Sequence, residues 1–463
     1  MQRLCGALFV LLLFGAASPS GVSAKQHSTA QEFSSSIPPL LATATPAFES
    51  LAAITRGGER FPQGAHLLRI QNGKAELLLP QFFASADANV SFDGKTMLFA
   101  GKKEYGDHWQ VWELNLADGS TRKAIAADTD LVRPVYLPEN RLVYARRGPA
   151  GFQLETASMD GTRTVQLTHT LTSALPVDVL EDGRILFEST FPLGADGKPE
   201  LYLVYSDGSG VESYRCDHGK ARWGGHQLRT GPEAGDVVFT HGTSLARFTS
   251  PLATETPVLA PVGEYDSALA DTASGNWVVS ARIRNDERFA LMLLAPRSHT
   301  LRLIYADSQN QLVEPVVLAP RSIPNRHPSG LHLWPTANLL ALDVRLSREG
   351  DLKVSPTQVR LETQDTAGRP VLLGLAPIAQ DGSFYAKVPG DRPLRFSLLD
   401  RNGAVVRAER GWFWARGGEQ RICVGCHTGP ERAPDNRVPQ ILLRSTIPTD
   451  LSGSKPGSTA GGH

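Results

Sequence analysis

Two cysteines three positions apart, followed at once by a histidine, form the strongest chemical signal in the chain: Cys423-Val424-Gly425-Cys426-His427. C-x-x-C-H is the attachment pattern of a c-type haem. Thiols at that spacing add to the two vinyl groups of one porphyrin, and the adjacent imidazole is offered to the iron as an axial ligand. One haem c per chain is expected, tethered by Cys423 and Cys426 with His427 on the iron. Thiol–disulfide chemistry and half of a zinc site are the competing readings. The other two cysteines, Cys5 and Cys216, lie far apart and offer zinc no second pair.

The sixth iron ligand is open on sequence grounds. No Met follows the motif; the four are Met1, Met97, Met159 and Met292, and the last three sit within strand-like runs as candidate core. His327 and His332 are the nearest histidine candidates, against a reading as surface loop residues. Cys216 and His218 are a further candidate metal pair, against a buried free cysteine. Arg416, Arg421 and Arg432 flank the motif and are candidate partners for haem propionates. Trp412, Phe413 and Trp414 precede it, suited to a porphyrin face or to a strand core. Asp87, Asn89, Ser91 and Asp93 have a hint of calcium-loop spacing, but Phe92 stands where such a loop needs Gly, which favours a turn.

Net charge is zero, with 47 basic and 47 acidic side chains, so nothing suggests a nucleic-acid partner. The N-terminus reads as a secretory signal over residues 1–24: a short basic start, an apolar run from Leu4 to Ala17 and a small-x-small site at Val22-Ser23-Ala24. Export to the periplasm fits the motif, because c-type haem is attached outside the cytoplasmic membrane. No later segment approaches the roughly 20 apolar residues of a membrane span.

Strands must position this chemistry. Turn-then-strand units recur at Leu98, Leu142, Leu186, Val238 and Val278, at spacings of 44, 44, 52 and 40. Asp-Gly hairpins lie between them, as at Asp118-Gly119, Asp160-Gly161 and Asp207-Gly208. A period near 44 with four strands per unit is a propeller signature. With an extra hairpin at Leu67–Leu77, about six blades are expected. Ser91-Phe92-Asp93-Gly94-Lys95 resembles blades of the TolB-like propeller family. The period stops near residue 312, where Pro-rich loops lead into short strands such as Gly374–Pro377 and Leu394–Leu399. The expected fold is all-β: a signal over 1–24, a linker over 25–49, a β-propeller over 50–311 and a small β-sandwich over 312–411. A short irregular haem-binding segment over 412–450 and a disordered tail over 451–463 complete it.

Residues from about 370 to 445 resemble the hydrazine synthase alpha subunit family. The resemblance is carried by Leu373-Gly374, Asp381-Gly382-Ser383-Phe384, Val388-Pro389-Gly390-Asp391, Leu399-Asp400-Arg401-Asn402-Gly403, Gly417-Gly418-Glu419 and the C-x-x-C-H motif. It implies an exported haem protein. It does not imply hydrazine synthesis, because a second haem motif that such subunits carry is absent. The expectation is periplasmic electron transfer with the propeller as a docking platform for a redox protein. A haem-dependent oxidoreductase acting on small nitrogen or oxygen species, or a binding module with a structural or sensory haem, is the alternative.

Overall fold

The computed structural model describes residues 37–453 except 56, 191–197, 216–219, 252, 348–349, 351, 410 and 426–436. The signal segment, Cys216, His218, Cys426, His427 and Arg432 lie outside the described residues. From Pro38 onward the chain is one compact unit.

Six four-stranded antiparallel sheets follow one another among the described residues. Five are local meanders, starting at Ala84, Leu131, Ala174, Arg222 and Glu264. The five repeat positions read from the sequence each fall on the second strand of a meander, at 0–1% exposure. Branched and aromatic residues with alternating outward polar positions build these strands, and Asp-Gly turns join them. Gly119, Gly161 and Gly208 supply the positive φ such turns need.

Neighbouring sheets pack face to face. Leu98 and Val111 of the second sheet meet Leu131 and Tyr144 of the third; Leu203 of the fourth meets Phe239 of the fifth; Val238 of the fifth meets Trp277 of the sixth. The Ser280 hydroxyl of the sixth donates to the Leu312 carbonyl of the first at 2.6 Å, which closes the ring. This is a β-propeller.

The first sheet corrects two expected boundaries. Leu40–Thr45, expected within a linker, is a wholly buried strand between Gln311–Val317 and His66–Gln71. Leu40 pairs with both Ile70 and Val317, so the propeller extends past 311 and its ends share one sheet. Local composition hid this, because the apolar run Leu40–Ala44 sits between Pro and Ser/Thr-rich stretches and finds a partner only far along the chain.

Every innermost strand slips register through a bulge where it meets its neighbour. Three bulges turn Asp87, Arg133 and Glu314 into positive φ at 57°, 52° and 56° and bring their side chains together at the axis. Arg133 lies 3.1 Å from Glu314 and 3.7 Å from Asp87. Arg60, from an N-terminal loop, reaches Asp266 at 2.8 Å and Glu314 at 3.3 Å. Of the segment expected as a turn, Ser91 and Asp93 form one, whereas Asp87 and Asn89 lie on the strand Ala84–Val90: the Asp87 carboxylate accepts the Arg133 N–H, and Asn89 accepts that of Tyr136.

Beyond the propeller, two four-stranded sheets face each other as a β-sandwich. One runs Gln420–Cys423, Thr336–Ala341, Phe384–Pro389, Thr449–Asp450; the other runs Pro370–Pro377, Gln358–Gln364, Leu394–Leu399, Val405–Ala408. Leu339, Val359, Leu361, Phe384, Val388, Leu394 and Leu398 fill the space between them. The expected 412–450 segment is thus no appendage, since both its ends are strands of the sandwich. Leu451, expected in a disordered tail, is buried and approaches Gly374. No helix among the described residues is long and apolar enough to cross a membrane.

Candidate functional site

The first cysteine of the motif ends an edge strand. Gln420–Cys423 runs parallel to Thr336–Ala341, with Asn338 opposite Gln420 and Ala341 opposite Cys423. The Cys423 carbonyl accepts the Leu342 N–H at 2.9 Å, and the Asn338 side chain bonds that of Gln420 at 2.9 Å. Strand alternation sends Gln420 and Ile422 outward and Arg421 and Cys423 inward. Ile422 is accordingly 63% exposed, while Cys423 packs against the sandwich core at a margin shared with Leu352, Leu373, Phe396 and Phe413. Burial pushes the Cys423 thiol up, against the nearby Arg421 guanidinium.

The chain past the motif is braced at the same end of the sheet. Asp381 Oδ2 accepts the Gln440 N–H at 2.7 Å, and Ser383 Oγ accepts the Ile441 N–H at 3.1 Å. Burial of Asp381 opposes its ionisation, but the Gln440 and Ser383 donors hold its carboxyl below the usual range. Phe384, next to Ser383, pairs with Ala341, which pairs with Cys423. Strands sit about 4.8 Å apart, so both flanks of 426–436 are anchored within a few strand widths.

The strand's other end meets the propeller. Gly417-Gly418 turns under the segment that leads into the sandwich; Gly418 has φ +85°, and a Cβ there would stand 2.1 Å from the His332 carbonyl oxygen. Glu419 is buried and accepts the N–H of Gly210, in a loop of the fourth propeller unit, at 3.2 Å and that of Arg416 at 2.7 Å. Arg416 pairs with Asp391 at 2.9 Å, and His169, in the loop between the third and fourth sheets, lies 3.5 Å from the same carboxylate. Burial pushes His169 down to about 4, against the pull of Asp391. Trp414, 1% exposed, enters the cluster formed by the third and fourth sheets.

These positions settle several expectations. Trp414 is core of the propeller junction; Phe413 packs on Phe396 at 6.0 Å, and Trp412 lies under Arg395. Arg416 is committed to Asp391, on the propeller side. Met97 and Met159 are core, and Met292 packs half-buried against it. His327 stacks flat on Tyr205 of the propeller at 3.6 Å, and His332 is exposed and stacks on Trp334 at 5.0 Å. The His332 carbonyl abuts Gly418, five extended residues or about 16 Å from Cys423. The residues that carry the family resemblance, Asp381, Ser383, Asp391, Gly418 and Glu419, are those that brace the motif's strand. What sequence reasoning missed is the joint formed by Arg421, Glu419, His169 and Asp391; the Gly-Gly-Glu step, Asp391 in its own Pro-Gly-Asp step and the nearness of Arg421 to the motif were visible, but not their meeting.

An inward cysteine on an edge strand, beside an apolar and aromatic margin, fits one edge of a porphyrin. Ile422, Val424, Val438, Leu443 and Ile447 leave further apolar surface exposed around the motif. Cys423 and Cys426 would hold the group, with His427 on its iron.

Residues 345–428 match the family described as the hydrazine synthase alpha subunit middle domain, a stretch that includes the whole motif. Kuenenia stuttgartiensis hydrazine synthase shares the fold with a TM-score of 0.76 at 16% identity, over 88% of this chain and 71% of that one. TolB from Acinetobacter baumannii aligns with a TM-score of 0.46 at 13% identity, over 60% of this chain and 66% of that one. A putative TolB from Agrobacterium tumefaciens aligns with a TM-score of 0.43 at 13% identity, over 63% and 94%. No curated protein matches by sequence.

Proposed function

From the premise that residues 345–428 form a hydrazine synthase alpha-like middle domain, we propose that this chain is an exported monohaem c-type protein that passes single electrons in the periplasm. The observation that carries the reading is the C-x-x-C-H motif inside that domain, its first cysteine set inward on an edge strand beside apolar side chains. A haem bound there supplies a one-electron store at its iron. The chain's own residues do the rest. Cys423 and Cys426 fix the ring, His427 offers an imidazole, and the sandwich margin shields one edge from water. Asp381 and Ser383 hold the returning chain, and the propeller offers a broad face to a redox partner. One motif and no second haem site in the sequence argue against hydrazine synthesis by this chain alone.

The test is a pyridine haemochrome spectrum of the exported full chain, with intact mass. One covalent haem per chain is expected, lost in the Cys423→Ala/Cys426→Ala double variant. A colourless wild-type protein after haem maturation sinks the reading. A ferrous sample that binds CO rapidly would replace electron transfer with an open, catalytic or sensing iron.

A further inference from the structure

Arg421 occupies an unusual position for a charged side chain flanking a haem motif. It shares the inward face of its strand with Cys423, two residues on, and its positive charge favours the thiolate of that cysteine. The same group donates to the Val211 carbonyl of the propeller's fourth sheet and lies 3.5 Å from the Trp414 carbonyl. It sits 5.9 Å from the centre of the Phe413 ring and 3.5 Å from Glu419. Its side chain is 19% exposed and that of Glu419 10%. Two carbonyls, one carboxylate and one aromatic face from both domains hold this cation still.

The chemistry of haem c decides what such a cation can do. The ring is tethered through its vinyl carbons, which lie at the opposite edge of the macrocycle from the propionates. A guanidinium fixed at the sulfur end therefore stands at the wrong edge to pair with a propionate. It stands at the right one to act on the ring's charge. Going from ferric to ferrous adds one electron and no proton, so the reduced form gains from a nearby fixed positive charge. The gain is larger where water is excluded. Arginine keeps its charge across the accessible pH range.

Resting on the haem reading above, we propose that Arg421 sets the reduction potential of the haem from its thioether edge, with Glu419 as the opposing charge and the propeller carbonyl of Val211 as the brace. The pair works as a trim: the cation raises the potential and the carboxylate lowers it.

A spectroelectrochemical titration of the haem-loaded full chain tests this. Arg421→Gln is expected to shift the potential to more negative values, and Glu419→Gln to more positive ones. Arg421→Lys, which keeps the charge without the fork, should stay closer to wild type than Arg421→Gln does. Shifts of the same sign in Arg421→Gln and Glu419→Gln, or wild-type potentials in both at unchanged haem content, overturn the proposal while leaving the haem reading intact. Should Arg421→Gln fail to fold, the sign of the Glu419→Gln shift decides alone: an unmoved or lowered potential overturns it. A wild-type protein without covalent haem fails earlier, at the colour, and removes the reading on which the proposal rests.

Discussion

Ala341 and Cys423 stand opposite one another in a parallel strand pair, so the first cysteine of the motif is positioned by the register that builds the sandwich core. Side chains alternate across a strand, and a slip of one residue would turn Cys423 to solvent and Ile422 inward. Cys423 is therefore held by the sheet that carries it, and the elements that secure the sheet become testable.

Trp414 couples the two domains from a buried seat among Val135, Leu154 and Val211. Trp414→Ala should cost about 3–5 kcal/mol by leaving a cavity at the junction. Denaturant melts read the loss. Limited proteolysis should then cut between propeller and sandwich sooner than in wild type; unchanged stability would place the junction elsewhere.

Arg60 neutralises two buried carboxylates, Asp266 and Glu314, that no local strand pairing requires. Arg60→Ala leaves Asp266 without its cation and Glu314 with Arg133 alone, and is expected to destabilise the propeller by about 3–5 kcal/mol. An Arg60→Ala melt within 1 kcal/mol of wild type, roughly the size of an exposed pair, would show the axis to be solvated.

Glu188 is fully buried; one oxygen accepts the Gly224 N–H at 2.8 Å, and the other has no hydrogen-bond partner among the described residues. Burial raises its carboxyl to about 7, against Arg133 and the Gly224 donor. The folded state thus holds this proton more tightly than the unfolded chain, whose value is 4.5. Stability from this group is present below pH 4.5 and falls as pH rises toward 7. Glu188→Gln should remove that slope and leave the protein more stable than wild type at pH 7.5. Parallel pH–stability curves for the two proteins would refute the assignment.

Gly418 turns where a side chain would collide with the His332 carbonyl. Gly418→Ala adds the left-handed backbone cost of about 1–2 kcal/mol to that clash. It is expected to lower the melting temperature and, by displacing Glu419 and Arg421, to lower the yield of haem-loaded protein. Wild-type yield and melting would mean the turn is slack.

The sequence exposed what repeats and what is local. Leu98 through Val278 marked the second strands because each is an apolar run beside its own turn. The Asp381 and Asp400 turns were equally plain, since Asp-Gly and Asn-Gly chemistry is read within four residues. Leu40–Thr45 escaped because its partner, Gln311–Val317, is visible only in space. The axial acids escaped for a related reason: bulges aim Asp87, Arg133 and Glu314, and a one-residue register slip leaves no compositional trace. Arg421 could be named as a candidate from its nearness to the motif. Its role could not, because that depends on which strand face it shares with Cys423 and on a propeller carbonyl far from it in sequence.

The seat of Leu40–Thr45 between Gln311–Val317 and His66–Gln71 has a consequence for how the molecule is made. A clasp joined from opposite ends cannot fasten until residue 317 has emerged; five meanders can assemble as they appear, while the first waits with a raw edge. Removing Leu40–Thr45 unbuckles the ring, because both of its flanking strands lose this partner.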